Sequence, residues 1–534
     1  MPAALATWCT AFLVVLVPAG TATAIGGAAT LAGGVVAATA LRRRTPARAP
    51  TATRTGTATR TATAPRGRRA ALRGQAVLVL LAAAATAFTA AAQLGQRDAG
   101  LLGRLVEERA TVSVVGTVRS EPMPLAAPSW SAGGERYRVV LTVEHVTGRG
   151  LTGAAAGRVL VLGNAPWAGA SYGARAQVAG RLQPVDDGDP VVALLIAGEL
   201  RVVEPPGPID LRVGRIRRSL LEASDDLSPD ARGLVPGIAV GDTSRIPDDL
   251  DEAMRVTGLT HLTAVSGAHF AIVAAVVLGL TGLVGLPRSA RAVVVAVVMV
   301  GFVLLVHPEP SVVRAAAMGA VGVGGLLLGR PARALPALAV AGTVLLLLDP
   351  WLARSYGFVL SVVATAGIVV LTEPLARRLG AVLPQAVAYV VAVPLAAQLA
   401  CAPIVVLLSA GLASYAVPAN VVAAPAVAPA TVAGVLAALV APWWPAAGTA
   451  LAHVAGAATW WISGVARVAA GLPLARLPWP EGPPGAVLLA AITVLTGAAV
   501  LGTPALSRVG PGGRWLAACC AALAAGIAVA WASR

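Results

Sequence analysis

Long stretches with few or no charges recur along the chain, and no other feature limits its possible folds so strongly. They fall at about 75 to 93, 260 to 286, 291 to 307, 312 to 329, 334 to 348, 357 to 372, 384 to 409, 415 to 440, 446 to 470, 484 to 503 and 514 to 532, and residues 6 to 41 add one or two more. A bilayer core of about 30 Å asks for roughly 20 mostly apolar residues per helix. The expected fold is therefore a polytopic α-helical membrane protein with about 11 to 13 transmembrane helices. Composition agrees: 57% of the 534 residues are hydrophobic and the mean hydropathy is +0.77, too apolar for a soluble chain of this length.

The net charge of +16 is carried by arginine alone, because the chain has no lysine. Ten arginines and no acidic residue lie between Leu41 and Arg73. This reads as a disordered cytoplasmic loop that sets topology under the positive-inside rule, with binding of anionic lipid or nucleic acid as the alternative. No basic residue precedes Arg42, so a cleaved signal peptide is not expected. Arg288 and Arg291, Arg330 and Arg333, and Arg377 and Arg378 then fall on alternate turns assigned to the inside, while residues 307–311 fall outside. The location expected is the cell (cytoplasmic) membrane, crossed many times. Cys9, Cys401, Cys519 and Cys520 lie in apolar segments without CxxC spacing and read as small apolar residues.

The segment 97–208, outside by this topology, changes character. Runs at 111–122, 136–147, 157–164, 172–184 and 199–208 are β-rich and separated by Gly and Pro turns. In the second, Tyr137, Val139, Leu141 and Val143 alternate with Arg138, Thr142 and Glu144, the period of a half-buried strand. About five strands fit a small extracytoplasmic β-barrel, OB-like in size. Trp130, Tyr137, Trp167 and Tyr172 are candidates for stacking on bases. Eleven arginines against eleven acidic residues between Arg97 and Glu204 leave this segment neutral, so a nucleic-acid role would rest on local patches.

Residues 209–257 follow as a juxtamembrane amphipathic region. Val213, Ile216, Leu220 and Leu221 share a face opposite Arg212, Arg215 and Arg218, as in a helix lying on the membrane surface. Pro247 suits a first helical turn, and Asp248, Asp249, Asp251 and Glu252 complement the helix dipole; a divalent-cation site involving them and Asp242 is the alternative.

The next span opens on GLTHLTAVSGAHF, Gly258 to Phe270. Polar residues in a span are candidates for function, because burying them in lipid without a partner is costly. On a continuous helix His261 and His269 would stand about 80° apart and share a broad face. An interfacial His261, with Ser266 and Gly267 as small packing residues, is the structural reading of the same residues.

Residues 233–273, containing Gly241, Asp242 and the Gly258–His269 run, resemble the signature of the ComEC family of competence proteins. The resemblance continues in order through PSVVRAAAM (310–318), LDPWLARSYGFVLSVVATAGI (348–368) and LAAQLACAPIVVLLSAGLASYAVPANVVAAP (395–425). Thr260 stands for the usual Ser, Ala268 and Phe270 for Leu and Val, and Val359 for a usual Gln. The resemblance implies a channel that imports single-stranded DNA across the cytoplasmic membrane in natural transformation. His261, Ser266, Gly267, His269, Arg314, Ser361, Gln398 and Asn420 are then candidates for the DNA path or its gate. Asp242, Gly258, Asp349, Pro350, Gly357, Phe358, Pro403 and Pro425 are the signature's structural positions. The resemblance also implies the layout 1–96 N-terminal helices, 97–208 OB-like domain, 209–257 juxtamembrane region and 258–534 competence-type transmembrane domain.

No covalent catalytic role is assigned, and no cofactor or metal is expected. Many family members end in a metallo-β-lactamase-like nuclease domain, whose His-x-His-x-Asp-His cluster has no counterpart among five histidines of which no two lie within three residues. Without lysine there is no P-loop either. The expected partners are single-stranded DNA, membrane lipids, a separate DNA receptor, a nuclease and a cytoplasmic ATPase, with a homo-oligomer as a further option. Pro394, Pro403, Pro418, Pro425 and Pro429 are expected to break two adjacent spans and supply irregular backbone for a pore. Two other readings stay open: transport of an envelope or lipid-linked polymer, and an intramembrane serine hydrolase using Ser266 with His269 or His453.

Overall fold

The computed structural model describes residues 1–42, 65–98, 100–125, 136–186, 188–263, 265–308, 310–327, 334–409 and 411–501. The chain divides into two compact units: one of Met1–Ala99, Asp186–Pro190 and Gly342–Arg354, the other of the remaining residues.

The first unit holds helices α1 (Pro2–Val14), α2 (Ala19–Arg42) and α3 (Pro65–Asp98). Val14, Ala22, Ala87, Ala90 and Ala91 form its core, small residues that let helices approach closely. Trp8 donates its indole N–H to the Ala353 carbonyl at 3.2 Å, and the Arg97 guanidinium lies 3.6 Å from the centre of the Trp351 ring. Most of the arginine-rich stretch lies outside the described residues. Its end, 65–73, is the first part of α3 and not loop.

The second unit opens with α4 (Leu101–Glu107) and six strands: β1 (Thr111–Val118), β2 (Met123–Leu125), β3 (Arg136–Gly148), β4 (Leu151–Gly163), β5 (Arg175–Pro184) and β6 (Ala193–Glu204). The expected alternation is present in β3, where Val139, Leu141 and Val143 are buried until a register shift beyond Val143 passes the inward phase to Val146. β1 pairs with β3 and β5, β5 with β6, β6 in parallel with β4, and β4 with β3, so the pairings run in a ring of five strands while the short β2 adds to β3. Trp167 is fully buried in the core of these strands and donates to the Gly198 carbonyl at 3.3 Å.

Helices α5 (Pro208–Ala223), α6 (Pro229–Val240) and α7 (Asp248–Val256) lead to a helical bundle of α8 (Gly267–Leu283), α9 (Arg288–Val306), α10 (Pro310–Leu327), α11 (Ala334–Leu348), α12 (Tyr356–Leu379), α13 (Gln385–Leu408), α14 (Ala416–Val440), α15 (Pro445–Ala470) and α16 (Gly482–Leu501). Every residue of α6 from Gly233 to Val240 is buried. Gly434 of α14 fits against it because a Cβ there would stand 2.9 Å from that of Ala239. Both faces of α9 are apolar: Val293, Val297, Val300 and Leu304 form an exposed stripe at helical spacing, while Val295, Met299 and Phe302 are buried. Such a helix presents its apolar face to lipid. Trp443 and Trp444, 84% and 66% exposed at the α14–α15 turn, suit a membrane interface.

Among the described residues six helices are long and apolar enough to cross a membrane, and five shorter apolar helices accompany them. The protein is a polytopic helical membrane protein. The expected 514–532 span lies outside the described residues. Two expectations need correction. The span drawn from 260 starts at Gly267, because 258–266 is a turn-rich approach. The prolines do not break α13 or α14: Pro394 and Pro403 sit inside the first, Pro425 and Pro429 inside the second. Neighbouring helices and local adjustment make such prolines tolerable within a membrane bundle.

Candidate functional site

The signature segment is held by glycines at close approaches. α6 ends on Gly241 at φ +76°, and a Cβ on Gly237 would stand 2.4 Å from the Thr263 carbonyl oxygen, so only glycine lets α6 lie against the signature turn. Gly258, at φ +69°, faces Ala416 of α14. Asp242 closes its own turn, accepting from the Ser244 amide at 3.1 Å and hydroxyl at 2.6 Å.

His261 and His269 do not share a helix. His261 lies in a 3₁₀ turn, Thr260–Leu262, and donates from Nδ1 to the Gly258 carbonyl at 3.2 Å; it is exposed, as are Thr260, Gly267 and Ala268. His269 is fully buried in the first turn of α8, with Ser266 as N-cap. The Ser266 backbone N–H donates to His269 Nδ1 at 2.9 Å, one half of a capping box in which histidine takes the place usual for Glu or Gln. That donor makes Nδ1 an acceptor and puts the imidazole proton on Nε2, which is buried without a hydrogen-bond partner among the described residues. The Ser266 hydroxyl also lies 2.9 Å from Nδ1, the reach of a nucleophile to its base. However, the lone pair it would need already accepts the backbone N–H, and no acidic group among the described residues orients Nε2. His453 donates to the Thr449 carbonyl within α15 and does not pair with Ser266.

Arg314 of α10 is 3% exposed. It donates to the Gly357 carbonyl at 3.3 Å, stands 5.8 Å from the centre of the fully buried Phe358 ring, and has no carboxylate partner among the described residues. Gly357 and Phe358 thus seat a buried cation. A Cβ on Gly267 would lie 4.0 Å from that of Ala315, so α10 passes the start of α8 beside this arginine. In the other unit, Asp349 accepts from the Trp351 amide at 3.2 Å and, with Pro350, starts the 3₁₀ turn before α12.

The remaining candidates are not joined to this group by hydrogen bonds. Asn420 donates to the Ala416 carbonyl in its own helix at 2.7 Å. Ser361, on α12, and Gln398, on α13 between two prolines, are half-buried. Pro403 is buried and Pro425 exposed, each within its helix.

A second constellation was not anticipated. Arg217 is 4% exposed and donates to the carbonyls of Val240, at the end of α6, and Leu305, at 3.0 Å near the end of α9. It also meets Glu121 of the β1–β2 connection at 3.3 Å and Asp242 at 3.9 Å. His307, in the turn between α9 and α10, stacks on Tyr172 at 3.9 Å and meets Glu121 at 3.3 Å. Its φ of +67° is strained for a side chain other than glycine. Burial pushes the Glu121 carboxyl up, against the pull of Arg217 and with a contribution from Asp242. Burial, and then Arg217, hold His307 down to about 3, Asp242 opposing. These residues border a cavity of about 900 Å³ between the β strands and α5. The signal for Arg217 was its phase, on the buried face of α5 with Val213 and Leu220.

No group of three or more His, Cys, Asp or Glu among the described residues could hold a metal ion. Asp249 is instead engaged by Arg467 at 2.7 Å, together with Asp230, a clamp from α15 to α6 and α7.

Residues 238–504, half of the chain, match the family model described as Competence protein. The chain belongs to the ComEC family of competence proteins. A curated relative, ComE operon protein 3 of Bacillus subtilis (strain 168), is 28% identical over 236 residues, 43% of this chain and 30% of that protein. The match therefore spans under a third of the relative's length. No solved structure matches the chain. The family match begins inside α6 and takes in His261, Ser266, His269, Arg314, Ser361, Gln398 and Asn420.

Proposed function

We propose that this protein imports single-stranded DNA across the cytoplasmic membrane during natural transformation. The observation that carries the reading is Arg314, a guanidinium buried in a membrane helix with no carboxylate among the described residues to neutralise it. A buried charge is tolerated when paired or when it serves a charged passenger, so a buried cation with no carboxylate among the described residues favours an anionic one. The exposed His261 and Gly267 and the unsatisfied Nε2 of His269 stand at the start of α8, on the extracytoplasmic side of the topology argued from the loop arginines.

A single strand carries about one charge per 3.4 Å, so roughly nine phosphates would occupy a 30 Å core at once. No lipid-facing route is possible for them. The route is lined by His261, Ser266, Gly267, His269 and Arg314, with Ser361, Gln398 and Asn420 deeper in the bundle, and no step is catalytic. Residues 1–96 form the N-terminal helices, 97–208 an OB-like domain whose ring of five paired strands supports that description, 209–257 the juxtamembrane region and 258–534 the competence-type domain. Energy, strand degradation and capture from the surroundings come from separate partners.

The test uses a naturally transformable host whose own homologue is deleted. Transfer of fluorescent DNA into a nuclease-protected cytosolic pool is expected to return with the wild-type chain. If it does not depend on the chain, the reading fails and an envelope or lipid-linked polymer becomes the substrate to pursue.

A further inference from the structure

The cavity beside Arg217 has a composition that the membrane path does not explain. One wall is the β domain, through Pro122, Pro124, Tyr137 and the loop ending at Tyr172; the other is α5, through Leu211, Arg215, Arg218 and Leu221. Arg215 and Arg218 are exposed, lie three residues apart on one helix face, a spacing that puts Cβ atoms about 5–6 Å apart, and have no ion pair or hydrogen bond among the described residues.

The other charges of the lining are largely spoken for. Arg217 holds Glu121 and Asp242, and Arg245 holds Asp225 at 2.7 Å. Asp210, in the first turn of α5, is the one lining carboxylate with no cationic partner among the described residues. Two free guanidiniums against one free carboxylate leave this wall positive.

We propose that this cleft is where single-stranded nucleic acid is first held on the extracytoplasmic face, its phosphodiesters on Arg215 and Arg218 and a base against Tyr137. The proposal rests on the strand-import reading. A groove pairing backbone-neutralising arginines with aromatic faces is the general solution for binding single strands without sequence preference. A phospholipid offers the same phosphodiester, but its chains need an apolar furrow, and Leu211 and Leu221 are the only large aliphatic side chains in the lining. Neighbouring Arg217 and His307 are committed to holding the cleft's two walls together.

The test is fluorescence anisotropy of a short labelled oligothymidylate with the full chain in nanodiscs of zwitterionic lipid. The double variant Arg215→Gln/Arg218→Gln is compared with Arg212→Gln, an exposed arginine of α5 outside the lining. The double variant is expected to bind about tenfold more weakly and to lower the salt slope by about 1.4, roughly 0.7 per lost phosphate contact, while Arg212→Gln binds as wild type. Tyr137→Leu is expected to weaken oligothymidylate more than an abasic strand of equal length. Equal binding by the double variant and wild type would overturn the cleft proposal and leave the import reading standing, whereas no binding by wild type would count against both. Loss of the arginine dependence in nanodiscs containing phosphatidylglycerol would reassign the cleft to lipid.

Discussion

Replacing Arg217 with Met keeps an unbranched stem and removes the charge and fork, and its cost can be worked from its partners. The carbonyls of Val240 and Leu305 lose their donor, and Glu121 and Asp242 lose their counter-charge. Breaking a buried pair by removing one partner costs about 3–5 kcal/mol. Here the Glu121 side chain is 39% exposed and regains water, so the lower end, about 3 kcal/mol, applies. At about 1.4 kcal/mol per tenfold, local opening would rise roughly a hundredfold. The reporters are the amides of Gly241 and Asp242, which donate to Gly237 and Pro236 at the end of α6. Hydrogen exchange of the detergent-solubilised protein should show them a hundredfold less protected in Arg217→Met and partly restored in Arg217→Met/Glu121→Gln, where, of the two carboxylates that Arg217 held, only Asp242, the more distant at 3.9 Å, is left without that counter-charge. Unchanged protection in Arg217→Met would refute the view that this arginine ties the β domain to α6 and α9.

The folded protein keeps His307 neutral down to about 3 while the unfolded imidazole protonates near its ordinary 6.5, so its contribution is complete above about pH 6.5 and is lost as pH falls toward 3. Thermal midpoints between pH 7 and 5 should therefore drop, and His307→Asn should flatten that dependence. Gly237→Ala drives a Cβ into the Thr263 carbonyl and should cost about 1–3 kcal/mol, whereas Gly267→Ala makes only an ordinary contact with Ala315 and should leave the thermal midpoint near wild type. Arg314→Met should match wild type in membrane yield, since an apolar residue of similar volume is tolerated where a charge was buried, yet lower DNA import about tenfold or more. Ser266→Ala should cost about 1 kcal/mol as a lost helix cap, and a fluorophosphonate should label neither form; labelling of wild type alone would revive the hydrolase reading.

What could be read in advance divides along physical lines. Period-two alternation exposed β3, and long apolar runs exposed α9 and α12 to α14, because both are local patterns that burial amplifies. The short β2 carried no such pattern, and the uninterrupted course of α13 and α14 depends on neighbours that make Pro403 and Pro425 tolerable. Within the site, composition marked His261, Ser266 and His269 as a group, but not that a capping turn divides them, with His261 exposed and His269 sealed. The Glu121, Arg217 and His307 contacts join residues far apart in sequence, and only the phase of Arg217 on α5 hinted at them.

Photocrosslinking during transport tests the central claim most directly. Benzoylphenylalanine is placed at His261, at Gly267 and, as a control buried between α6 and α14, at Ala423, and a strand is arrested in transit by a bulky trailing end. Adducts at His261 and Gly267 but not at Ala423 are the predicted result. A strand that crosses while attaching to neither His261 nor Gly267 would contradict the path proposed at the start of α8.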